Sequence, residues 1–125
     1  TDIWLNSLEY RVLKEDPDKV VVVSDARFRN ELDLIKSMGG KVVWVQRGEL
    51  PEWYDIAVDA NNGNAVSRKI MTTKYASVHE SEWNWCGYPV DHIVDNNGSF
   101  NQLQEAVNDI EMDLIVEKTS SLRLV

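Results

Sequence analysis

The segment Val20-Val21-Val22-Val23-Ser24-Asp25-Ala26-Arg27-Phe28-Arg29-Asn30-Glu31 concentrates residue types that handle phosphate. A carboxylate placed like Asp25, behind an apolar run, can hold Mg²⁺ through water or orient an acceptor phosphate. Arg27 and Arg29 carry the planar fork that grips phosphate oxygens two at a time. They stand ahead of an expected helix, whose first amides also favour an anion. Each residue has a plainer use: Asp25 as a turn or capping residue, the arginines as surface partners of Glu31 or Asp33. The conjunction of all three behind one apolar run, expected to be a buried strand, favours the phosphate site.

Other candidates are spread along the chain. Arg47 ends a second apolar run, residues 42–45, and is either a further phosphate contact or an exposed charge closing a strand. Arg68, Lys69 and Lys74 lie in a long polar stretch; there they are either cations that a closing lid brings to a transferring phosphoryl group, or solvated charges. His79-Glu80-Ser81-Glu82 has the residue types of an acid–base or metal cluster. With two His and one Cys in the whole chain a zinc site is poorly supported, and a polar loop is the simpler reading. Ser81 lacks the elbow of a catalytic serine. Trp83 and Trp85 are read as core rather than as a platform for a base. Asn97-Gly98 is a turn, which alone explains the glycine; close backbone approach to a purine is the functional alternative.

The elements that must position these residues follow from periodicity. Residues 2–14 place Leu5, Leu8 and Val12 on one helical stripe. Asp16-Pro17-Asp18 is a turn. Residues 20–23 are continuous and β-branched, as expected of a parallel strand buried on both faces. A helix is expected over residues 30–38, with Asn30 as its N-cap and Gly39-Gly40 as its stop. Residues 42–45 are a second strand, completing a βαβ unit. Residues 48–87 carry no sustained period beyond short helices near 65–71, and read as a long lid-like excursion. Residues 91–94 are a third strand. Ser99 and Gln102 form a capping box ahead of a helix carrying Phe100, Leu103, Val107, Ile110 and Leu114, with a frayed tail from Thr119. The expectation is a single α/β domain over residues 1–125, a short parallel sheet flanked by helices. Asp25, Arg47 and Asp95 follow strand ends, where ligands of open α/β sheets collect.

The 125 residues suffice for one domain with one modest core. No run approaches the roughly 20 apolar residues of a membrane span, so the expected location is the cytoplasm, without a membrane partner. The net charge of −8 argues against long nucleic acid as a ligand while leaving room for a small anion held by a few arginines. Cys86 stands alone, without an internal disulfide partner, and is expected as a reduced, partly buried thiol.

Five pieces in order resemble one family. They are Asp2-Ile3-Trp4; Val22 to Glu31 with its Ser-Asp-Ala-Arg; Gly39-Gly40 followed by a valine-rich strand and Arg47; His79-Glu80-Ser81-Glu82; and Asp95-Asn96-Asn97-Gly98-Ser99 followed by Leu103. Together they resemble the carboxyl-terminal half of bacteriophage-type deoxynucleoside monophosphate kinases. The resemblance spans about residues 2 to 110, and the stretch from Gly48 to Tyr75 departs from the pattern. It implies a P-loop kinase-like three-layer fold, with transfer of the γ-phosphate of ATP to a dNMP assisted by Mg²⁺, in the host cytoplasm if phage-encoded. Asp25 and Arg27 would then lie by the acceptor and transferring phosphates, Arg47 beside the lid, and Asn97-Gly98 near the adenine. No stretch matches G-x-x-x-x-G-K-[ST], the loop whose amides cradle ATP phosphates. The corresponding expectations are a fragment, a split enzyme completed by a P-loop-bearing partner polypeptide, or a non-catalytic nucleotide-binding or assembly module, with a homo-oligomer as the alternative partner.

Overall fold

The computed structural model describes residues 2–15 and 19–124, with side chains described for 3–15 and 19–115. The Asp16-Pro17-Asp18 turn lies outside the described residues. The elements are α1 (Asp2–Lys14), α2 (Arg29–Ser37), β1 (Val43–Gln46), α3 (Tyr54–Asn61), α4 (Ala65–Thr73), α5 (Glu80–Trp83), β2 (His92–Asp95) and α6 (Phe100–Leu124). They make a mixed α/β chain whose residues divide into two compact units. One unit comprises Thr1–Gly40 and Pro51–Pro89, the other Lys41–Leu50 and Val90–Val125. Among the described residues no helix is long and apolar enough to cross a membrane.

The first unit holds the main core. Ala57 and Ala60 of α3 are fully buried, and their small side chains let α4 pack closely, with Met71 and Tyr75 facing them. Trp83 and Cys86 complete the cluster, and Trp85 packs against it, so both tryptophans serve the core as expected. Residues 48–87 are therefore not a structureless excursion. Their helices are short and their apolar positions are shared with neighbours, so no single helix shows a long period. Gly63 turns the chain between α3 and α4 at φ +97°, and Asn64 caps α4 by accepting the Ser67 amide at 3.0 Å. At the end of α3, the Asn61 amide group donates to the carbonyls of Trp83 (2.9 Å), Asn84 (3.2 Å) and Cys86 (2.9 Å).

In α1 the expected stripe is present: Leu8 is buried, Leu5 and Val12 are half-buried, and α1 lies against α2. The N-cap of α2 is Phe28 rather than Asn30. Glu31 reaches back to the amides of Phe28 and Arg27, which starts the helix earlier than the capping preference of Asn suggests. Gly39 closes α2 at φ +81°, and the Gly40 amide bonds to Ile35 O at 2.9 Å, a glycine stop as expected.

The expected buried strand at residues 20–23 is not formed. Val20 is 65% and Val22 80% exposed, and among the described residues no strand pairs with this run. β-branched residues favour a pleated, covered surface, and without a pairing strand that preference has nothing to act on. The βαβ unit through residues 20–45 is accordingly absent.

In the second unit β1 and β2 pair in parallel, Val43 with His92 through Gln46 with Asp95. Each strand starts one residue after the expected position. Val42 and Asp91 instead form a bracket, with the Val42 amide bonded to Asp91 Oδ2 and the Asp91 amide to Val42 O, both 2.8 Å. Val94 is buried, whereas Val43, Val45 and Ile93 stay exposed. Helix α6 packs on β2 through a half-buried row of Leu103, Ala106, Ile110 and Leu114. Phe100 and Val107, expected on that stripe, are exposed, because Ala106 takes the inward position. The capping box forms: Ser99 N donates to Gln102 Oε1 at 2.9 Å and Gln102 N to Ser99 Oγ at 3.2 Å. The helix continues to Leu124, past the fraying expected at Thr119.

Two outcomes follow from the core. Asn61→Ala removes a donor serving three carbonyls and should lower unfolding stability by about 1–3 kcal/mol, read from urea denaturation. Burial pushes the Cys86 thiol up to about 12, although the Arg29 charge acts in the opposite sense. The folded chain should therefore resist iodoacetamide at about pH 8, and alkylation should follow unfolding. Rapid labelling of the native protein would contradict the buried, neutral thiol.

Candidate functional site

Within the first unit, the segment that follows residues 20–23 borders an open depression of about 300 Å³. Trp4 of α1 and Phe28 form its apolar side. Asp25, Arg27, Asn30, Glu31 and Ser81 supply its polar groups.

The four charged residues of the Asp-x-Arg-x-Arg-x-Glu block do two different jobs. Glu31 is 7% exposed and fully engaged. Its Oε2 accepts the Trp4 indole N–H at 2.7 Å, and its Oε1 accepts the amides of Arg27 at 3.1 Å and Phe28 at 3.0 Å. Burial pushes its carboxyl up, but these three donors and the Arg27 charge outweigh that, and the net shift is downward. Arg29 is also committed. Its Nε donates to Asn84 O at 3.0 Å, its Nη2 to Cys86 O at 2.9 Å, and its backbone amide to Asn84 Oδ1 at 2.8 Å. Its guanidinium also lies 5.7 Å from the Tyr88 ring centre. These bonds tie the start of α2 to the exit of α5. Arg29 is thus a clasp whose fork is directed at carbonyls of its own chain rather than at the depression.

Asp25 and Arg27 remain as the reactive groups at the rim. Asp25 is exposed and has no hydrogen-bond or ion-pair partner among the described residues. Arg27 is turned toward α5, with Nη1 3.6 Å from Glu82 Oε1, both side chains more than half exposed. The plainer alternative for the Arg27 side chain, an ion pair with Glu31 or Asp33, is not the one made: Asp33 accepts the Tyr88 hydroxyl at 2.6 Å. In α5, His79 is the N-cap, and its Nδ1 accepts the Ser81 amide at 3.1 Å. That nitrogen carries a lone pair, so the Ser81 hydroxyl, 2.8 Å away, donates to it. The cluster His79 to Glu82 is the start of a short helix rather than the polar loop of its plainer reading.

The other expected contacts lie elsewhere. Arg68 of α4 stacks 5.7 Å from the Trp83 ring centre, and Lys69 is exposed on the same helix. Arg47, Asn97 and Gly98 belong to the second unit, at the carboxyl ends of β1 and β2. There Asn97 Oδ1 accepts the Gly48 amide at 2.7 Å, and its Nδ2 donates to Asp95 Oδ1 at 2.7 Å. A Cβ on Gly98 would meet the end of the Gln102 side chain that caps α6, so a larger residue there would have to displace that cap.

A nucleotide-borne Mg²⁺ asks little of the protein, usually one or two carboxylates while phosphates and water complete its shell. Asp25, a hard oxygen donor without a partner, fits that demand. No group of three or more His, Cys, Asp or Glu among the described residues is arranged to hold a metal by itself. Trp4, Glu82 and Asn84 were not singled out from the sequence as members of this site. Glu31, three residues after Phe28, carries a legible capping-box spacing, but its bond to Trp4 across 27 residues has no local signal.

By fold the protein is a mixed α/β chain with an Asp/Arg-bordered depression on its helical unit. In comparisons with known proteins, no family model, no curated protein and no solved structure matched the chain.

Because the Glu31 carboxyl lies below its ordinary value of 4.5, its stabilisation is present above that pH and is lost as the pH falls through the lower folded value. Glu31→Gln should remove this share of the acid limb and cost about 1–3 kcal/mol at neutral pH, read from denaturation curves across pH. An unchanged pH profile in the variant would show that Glu31 does not anchor the segment.

Proposed function

We propose that this chain carries the acceptor side of a (deoxy)nucleoside monophosphate kinase, as the carboxyl-terminal portion of a P-loop kinase-like three-layer fold. The observation that carries the proposal is the division of labour in the Asp-x-Arg-x-Arg-x-Glu block. Glu31 and Arg29 hold the segment in place, and Asp25 and Arg27 are left at the border of one depression. Trp4 and Phe28 give that depression an apolar wall of the kind a nucleoside needs beside its phosphate.

In this reading Arg27 binds the acceptor phosphate and Asp25 orients it or the metal-bound water beside it. Catalysis of phosphoryl transfer is mainly positioning and charge neutralisation, which is what these two groups offer. Mg²⁺, when bound with ATP, supplies charge neutralisation on the transferring phosphoryl oxygens. A second reading, a non-catalytic nucleotide-binding or assembly module, is favoured by the missing G-x-x-x-x-G-K-[ST] loop.

Calorimetry of the chain with dGMP, dTMP and a 5-substituted dCMP tests the common core of both readings. At least one should bind, and Arg27→Ala should weaken it by about ten-fold or more, the loss of a charge-assisted fork. Coupled ADP release on adding a P-loop-bearing half separates them: turnover supports the kinase, and binding without turnover supports the module. Absence of any dNMP binding would overturn both.

A further inference from the structure

We propose that Glu82 is a built-in competitor for the anion that Arg27 binds, so that an incoming phosphate must displace a carboxylate of the chain itself. The inference rests on the assignment of Arg27 to the acceptor phosphate.

The other groups of α5 are taken. Glu80 accepts the Asn84 amide at 3.2 Å, and the His79 ring is occupied by the Ser81 amide and hydroxyl. Glu82 alone is directed at the depression's arginine. The contact, at 3.6 Å between side chains 54% and 58% exposed, is a loose ion pair rather than a locked one. Pairs of this kind contribute little and exchange readily. A phosphate dianion offers two oxygens to the guanidinium fork and makes shorter, charge-assisted bonds. It can therefore replace Glu82, whereas a singly charged carboxylate gains nothing by the exchange.

The surroundings sharpen the effect. Asp25 borders the same depression without a partner, and Glu31 beneath it is ionised, so the free site carries more negative than positive charge. Weak anions are repelled. Arg27, meanwhile, is held toward Glu82 at the depression's rim instead of folding onto Glu31, whose oxygens already accept three N–H donors. Glu82 thus both pre-positions the arginine and lowers its affinity for anything less charged than a phosphate monoester.

Calorimetry of the full chain with dTMP, and with thymidine as the ligand lacking phosphate, decides the matter. Glu82→Gln keeps the side chain's size and removes its charge; it should bind dTMP about two- to five-fold tighter than the wild type, the size of one exposed ion pair. Thymidine affinity and the unfolding midpoint should not change. Glu82→Asp, which retains the charge, should return dTMP affinity toward the wild-type value. Equal or weaker dTMP binding by Glu82→Gln, with Arg27→Ala still impaired, would overturn the competitor role and leave the Arg27 assignment standing. If Arg27→Ala binds dTMP as well as the wild type, or if no variant binds it, that assignment fails and the competitor role with it.

Discussion

The first unit depends on how the carbonyls at the exit of α5 are satisfied. Helix α5 is a single turn, and a helix that short leaves most of its carbonyls without intrahelical donors. Two side chains from distant elements bond the carbonyls at and just after its end, where Trp83 O also accepts the Cys86 amide. Asn61 at the end of α3 reaches Trp83, Asn84 and Cys86, and Arg29 at the start of α2 reaches Asn84 and Cys86. The same turn buries Trp83 and Cys86 in the core and holds α5, with Ser81 and Glu82, beside the segment that carries Asp25 and Arg27. Packing and site geometry therefore share one set of hydrogen bonds, and a change at Arg29 reaches the depression through position rather than through lost charge.

The electrostatics of the depression follow from which charges are already engaged. Glu31 sits low and buried, with the Trp4 indole and two amides on its oxygens, and acts as a fixed part of the backbone turn. Arg27 and Glu82 stand in water, where their attraction is weak and reversible. Asp25 has the freest carboxylate of the group. The depression thus has hydrogen-bonded groups underneath and exchangeable charged groups at its rim.

The valine run at residues 20–23 shows how a strong local pattern can lack its tertiary condition. Continuous β-branched residues describe a strand covered on both faces, yet a strand also requires a neighbour to bond. Here β1 and β2 bond each other, and the run stays exposed. Residues 48–87 err in the opposite direction. Their three helices are too short for a clear period, but Ala57, Ala60, Met71 and Tyr75 interlock into the best-buried part of the chain. Pattern length measures how legible an element is, and packing measures how stable it is; in this protein the two diverge.

What the sequence determined by itself was local. The α1 stripe, the glycine stop of α2, the Ser99–Gln102 box, the places of β1 and β2 and the core roles of Trp83 and Trp85 all follow from neighbours within a few residues. The block from Asp25 to Glu31 was recognisable as chemically dense for the same reason. Only the tertiary structure decided which of its charges are scaffold and which are free. The bonds from Trp4 to Glu31 and from Arg29 to Asn84 and Cys86 join residues 27, 55 and 57 positions apart. Hydrogen-bond donors are saturable, so once those partners are chosen Arg29 is committed to its clasp, while the Arg27 guanidinium, bonded to none of them, remains at the depression's edge.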